Sequence, residues 1–166
     1  AVRRDGTDVV ALLKHRNRRR VMSQVVNAPR SKTLPREAVV DPASAFLAAV
    51  RSRIARGQLE QAADHWCREA GSYEDAVLSE RDQLALANQL QAMNKRDDAA
   101  DAYRRYLGKY AAAPSANEVR LLLGLLLVRF LGKGQEAVPL LEHARDAATS
   151  EQRRVLADTL LGEATT

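Results

Sequence analysis

Aromatic side chains are scarce, at 4% of 166 residues, and β-branched ones are also few. Strands draw on those residues, so their scarcity argues against a sheet protein. Cysteine is reduced to Cys67, which excludes an intrachain disulfide and a thiolate metal site and points to a reducing compartment. No apolar run approaches the roughly 18 to 20 residues that a membrane span needs, since residues 119 to 131 are interrupted by Arg120 and Arg129. Also missing are a signal-peptide pattern, a GxSxG elbow, a phosphate-cradling glycine loop, an HExxH pair and a CxxC pair. The first residue is Ala rather than Met, from which we expect a piece excised or processed from a longer protein.

What is present is Ala and Leu, which supply most of the 46% apolar content and favour helix. Charge is unevenly placed. Residues 1 to 36 hold ten Lys or Arg against Asp5 and Asp8, a net of +8, which leaves −3 for the rest of a chain whose total is +5. The basicity therefore belongs to an N-terminal arm and not to the fold.

Apolar residues at helical spacing on either side of KHRNRRR predict a basic, partly amphipathic helix ending before Pro29. A linker with Pro29 and Pro35 follows, which places a domain boundary between residues 1 to 40 and 41 to 166. Asp41 before Pro42 opens a first helix, and Gly57 breaks it. A second helix is expected over 58 to 70, then a short helical turn across 73 to 78. Ser79 with Asp82 resembles a capping box for a third helix that stops near Asn94. A fourth spans about 97 to 110. Ser115 with Glu118 is a cleaner box for a fifth helix over 117 to 131, whose nearly continuous apolar surface predicts packing on several sides. A sixth runs from about 135 to 148, either beginning late or kinked at Pro139. Thr149 with Gln152 opens a last helix.

A small residue followed four places later by a large one recurs at Ala62 and Trp66, Ala99 and Tyr103, and Ala137 and Leu141. Residues four apart share a helix face, so the small one admits a neighbouring helix and the large one fills the gap above it. The marker alanines stand 37 and 38 residues apart, a period typical of stacked helical hairpins. The pattern resembles the tetratricopeptide repeat, with Pro114 near the expected unit boundary and Ala87 or Gly124 as the small residue of a first helix. Departures from that family are the longer spacing, Leu141 in place of an aromatic, and first helices without aromatics except Phe46. The resemblance implies an all-α, right-handed superhelix of stacked antiparallel pairs, about three repeats and a capping helix. A second, fainter resemblance links RRDGTDVVALLKHRNRRR to the juxtamembrane stretch of bacterial rhomboid-type membrane proteases with helical-repeat tails, and the positive-inside rule supplies a physical reason for such a stretch. No rhomboid catalytic motif lies in these residues.

For chemistry, His65 and Cys67 stand two apart on a helix and point to nearly opposite sides, which prevents them from acting as base and nucleophile. Asp97, Asp98 and Asp101 are explained by the helix dipole without a metal, Tyr103, Tyr106 and Tyr110 by packing, and His65 and His143 as surface or interhelical residues. We expect no catalytic site, metal or cofactor. The tetratricopeptide resemblance implies a protein or peptide partner held by the first helices. By register it selects Arg51, Asn88, Gln91 and Arg129, where an amide can clamp a backbone and a guanidinium can fork onto a carboxylate. The arm, through Arg16, Arg18, Arg19 and Arg20, suits an anionic membrane surface. Nucleic acid is disfavoured because no aromatic precedes Phe46. Three function classes follow: a cytoplasmic interaction scaffold, a cytosolic regulatory or recruitment tail of a polytopic membrane protein, and a nucleic-acid-associated protein.

Overall fold

The computed structural model describes residues 41 to 165. The basic arm, with Arg16, Arg18, Arg19 and Arg20, lies outside the described residues. Within them the chain is all-helical: α1 (Pro42–Ala55), α2 (Leu59–Glu69), α3 (Glu80–Ala92), α4 (Arg96–Tyr110), α5 (Ala116–Arg129), α6 (Gly134–Asp146) and α7 (Glu151–Ala164). A single 3-10 turn, Ala70–Ser72, follows α2.

Local chemistry sets most of the boundaries. Asp41 Oδ2 accepts the Ser44 N–H at 3.1 Å, and Ser79 Oγ accepts the Asp82 N–H at 3.3 Å; each meets a backbone donor that the helix itself leaves free. Helices α1, α3 and α5 end alike. Gly57, Asn94 and Gly132 adopt φ of 74°, 58° and 62°, and the next N–H bonds back to the carbonyl of Arg53, Leu90 and Leu127, respectively. This left-handed closure satisfies the last carbonyls and turns the chain into a second helix. Glycine takes it without strain and Asn94 at modest cost.

Packing follows the small-and-large device. Ala62, Ala99, Ala137, Tyr103 and Leu141 have no exposed surface and Trp66 has 1%. Gly124 on α5 serves the same purpose, because a Cβ there would lie 2.7 Å from Leu141 Cγ. Each helix packs mainly on its neighbours in sequence, and α5 packs on α4, α6 and α7, as its apolar surface requires. Ion pairs mark the lateral order. Lys95, at the entrance to α4, meets Asp64 of α2 at 2.6 Å, and Arg104 of α4 meets Glu136 of α6. Glu118 and Arg129, near the two ends of α5, pair with Arg153 and Glu163, near the corresponding ends of α7, so α5 and α7 run parallel. Such exposed pairs are screened by water and salt and contribute little to stability.

Four expectations need correction. The stretch from 73 to 78 is not helical; the only short helix there is the 3-10 turn before it. Ser115 makes no side-chain cap bond, because its own backbone is already helical at φ −81°, ψ −7°. Ser150, not Thr149, caps α7, its Oγ accepting the Arg153 N–H at 3.4 Å. Helix α6 does not begin late: it starts at Gly134 and runs through Pro139. That residue is exposed, so the Gln135 carbonyl, which loses its helical donor, can turn to water.

Candidate partner-binding face

Helix α3 buries Gln83, Leu86, Ala87 and Leu90, which leaves Arg81, Asn88 and Ala92 exposed and Gln91 half-buried beside them. Beneath this face lies Tyr103 of α4. Its hydroxyl is 2.7 Å from Asn88 Oδ1 and 2.9 Å from Gln91 Oε1. Burial pushes the phenol up to about 12, so it is protonated throughout the physiological range and its single proton is shared between the two amides. The amide nitrogens of Asn88 and Gln91 have no protein partner among the described residues. The result is a pair of carboxamides three residues apart, held from below and able to donate outward.

The other two residues selected by register differ. Arg51 on α1 is exposed and makes no ion pair among the described residues. Arg129 is already engaged as a fork, Nε and Nη2 donating to the two carboxylate oxygens of Glu163 at 2.9 and 2.8 Å. An incoming carboxylate would have to displace Glu163. Sequence reasoning missed Leu122 and Leu125. Both are half-buried and lie on the α5 stripe between Glu118 and Arg129. Their i, i+3 spacing was the available signal, but it was masked by leucines on every other side of the helix.

The connection that leads into α3 is held by polar side chains. Gln83, fully buried, accepts the Leu78 N–H at 3.1 Å and donates Nε2 to the Ala102 carbonyl at 3.0 Å. Arg105 donates to the carbonyls of Tyr73 (2.6 Å), Ala76 (3.2 Å) and Ala70 (3.1 Å) and to Asp101 (2.7 Å), with its guanidinium carbon 5.2 Å from the Trp66 ring centroid. Tyr110 donates to the Leu78 carbonyl and Tyr106 to Glu80. All of these fasten the connection between α2 and α3, whose backbone has few bonds of its own.

A cleft of about 530 Å³ between α2 and α4 is lined by Trp66, Cys67, Glu74, Asp97, Asp98 and Asp101, among others. Burial, assisted by Asp98, pushes the Cys67 thiol up to about 11, so it stays protonated at neutral pH and is a poor nucleophile. No group of three His, Cys, Asp or Glu among the described residues is arranged to hold a metal ion. His143 is exposed. His65 turns the other way, stacking on Phe46 at 5.5 Å between ring centroids. Its Nε2 is buried without a hydrogen bond, and Glu69 Oε1 is 3.8 Å away.

Burial holds the His65 imidazole below its ordinary value, outweighing Glu69. As pH falls through the ordinary value near 6.5, the unfolded chain takes up this proton before the folded one does, so stability present above that pH is lost below it. Urea midpoints should therefore fall between pH 7.5 and 5.5 by more in the wild type than in His65→Gln. Equal falls would show that His65 does not contribute.

No family model matches the chain, and no curated protein matches it. No helix among the described residues is long and apolar enough to cross a membrane.

Proposed function

We propose that this chain is a non-catalytic interaction scaffold: a tetratricopeptide-like, right-handed superhelix of about three helix pairs capped by α7, which holds an extended peptide of a partner protein across its first helices. The observation that carries the reading is the Asn88 and Gln91 pair, anchored by Tyr103 and with amide nitrogens that have no partner among the described residues. A peptide backbone offers carbonyls at a spacing suited to such amides, and Leu122 and Leu125 supply an apolar strip for its side chains. Arg51, which makes no ion pair among the described residues, is a cation available to an acidic residue or terminus. Preorganised side chains lose little entropy on binding.

Selection from a peptide array, followed by titration of the selected peptide, tests this. Asn88→Ala and Gln91→Ala should each weaken binding by about fivefold to tenfold, the loss of a hydrogen bond worth about 1 kcal/mol. Unchanged affinity in both variants would remove the assignment. The +8 arm favours a second, compatible reading, in which the scaffold is the cytosolic recruitment domain of a polytopic membrane protein such as a rhomboid-type protease. Loss of binding to anionic liposomes on deleting residues 1 to 36 would support it, and equal binding would count against it.

A further inference from the structure

The turn joining α5 and α6, Arg129 to Gly134, carries the sequence RFLGKG. Its closure at Gly132 leaves Phe130 45% exposed, and no other aromatic ring is among the exposed large hydrophobic residues. The guanidinium of Arg96, from the start of α4, sits 4.2 Å from the Phe130 centroid. Among the described residues Arg96 otherwise bonds only to Asn94 Oδ1, at 3.4 Å. Lys133 makes no ion pair among the described residues.

Neither cation pairs with an acid among the described residues, and both stand at helix starts, where positive charge is disfavoured. Arg96 is the first residue of α4 and Lys133 is the N-cap of α6, the positive ends of their helix dipoles, which repel a cation. Lys95, in the equivalent N-cap place on α4, is neutralised by Asp64, and the nearby Arg104 and Arg129 are neutralised by Glu136 and Glu163. The edge thus keeps an exposed ring and a neighbouring leucine beside two cations with no ion-pair partner among the described residues, with Asp97 the nearest acid in sequence to Arg96.

We propose that this turn is a contact for an anionic phospholipid surface, with Phe130 entering the headgroup and acyl boundary and Arg96 and Lys133 meeting lipid phosphates. An apolar knob and cations side by side match a surface that presents anions and hydrocarbon within one layer. They match a nucleic acid less well: one ring face already carries a guanidinium, a second stacking ring is absent from this edge, and two cations track only a short run of phosphate. The proposal rests on the turn alone, independently of the peptide groove and of the basic arm.

The test uses the full chain carrying Phe130→Trp. Trp66 is 1% exposed, so a change in emission on adding vesicles reports position 130. Phosphatidylcholine vesicles containing phosphatidylserine should shift the emission to the blue, and phosphatidylcholine alone should not. Adding Arg96→Gln and Lys133→Gln should weaken partitioning about fivefold each and about thirtyfold together, at about 1 kcal/mol per cation. If the chain sediments with anionic vesicles while the emission stays fixed, the arm alone binds them and the proposal fails. Equal partitioning of the doubly substituted protein would overturn it, as would a shift with a single-stranded oligonucleotide but none with vesicles.

Discussion

Replacing Arg105 with Met is expected to lower the unfolding free energy by about 3 kcal/mol, although Arg105 touches no proposed ligand. Its side chain is 10% exposed, so water can replace little of what the guanidinium supplies. Three backbone carbonyls, from Ala70, Tyr73 and Ala76, accept from it, and the first two also accept the N–H of Tyr73 and Ala76. Each would lose a charge-assisted donor in a connection with few backbone bonds of its own. Methionine keeps most of the contact with Trp66, so the loss reads the hydrogen bonds rather than a cavity. Arg105→Lys should recover only part of it, because an ammonium cannot fork onto three carbonyls at once. Urea denaturation measures both variants, and a Met variant within about 0.5 kcal/mol of wild type, the scatter of ordinary surface changes, would refute the role.

Gln83→Ala is expected to cost about 3 to 4 kcal/mol, from a cavity and from leaving the Leu78 N–H and the Ala102 carbonyl without partners inside the core. Gln83→Glu gives a sharper result. A carboxylate can accept the Leu78 N–H but repels the Ala102 carbonyl, and it is fully desolvated at this position. Its folded pKa should rise above the usual value near 4.3. The folded state then holds the proton more tightly than the unfolded chain, so the variant should be more stable at pH 5 than at pH 7 relative to wild type. Thermal unfolding at the two pH values checks the sign, and no dependence on pH would mean that Gln83 is not desolvated in the fold.

Much of the architecture was legible because it rests on local rules. Asp41 and Ser79 cap helices where their spacing to Ser44 and Asp82 allows. The pairs Ala62 with Trp66, Ala99 with Tyr103 and Ala137 with Leu141 are buried, as a one-sided helix pattern requires. The errors share a cause. Ser115 fits a capping pattern but takes a helical backbone, and a cap one residue away, at Ser150, cannot be told from Thr149 by composition. Asn94 ends α3 as Gly57 and Gly132 end α1 and α5, and its left-handed conformation is not apparent from residue type alone.

The candidate face shows the same division. Register alone brought Asn88 and Gln91 to one side of α3, because residues three apart share a face whatever lies beneath them. That Tyr103 anchors both amides, that Glu163 already occupies Arg129, and that Arg96 covers an exposed Phe130 depends on which helices come together across 12 to 34 residues of chain. Helix positions and buried faces follow from hydrogen bonds within a turn and from the period of apolar residues, so the sequence by itself determined them. Which polar groups remain free to bind was decided only by tertiary structure, because a side chain's availability depends on partners that no local pattern encodes.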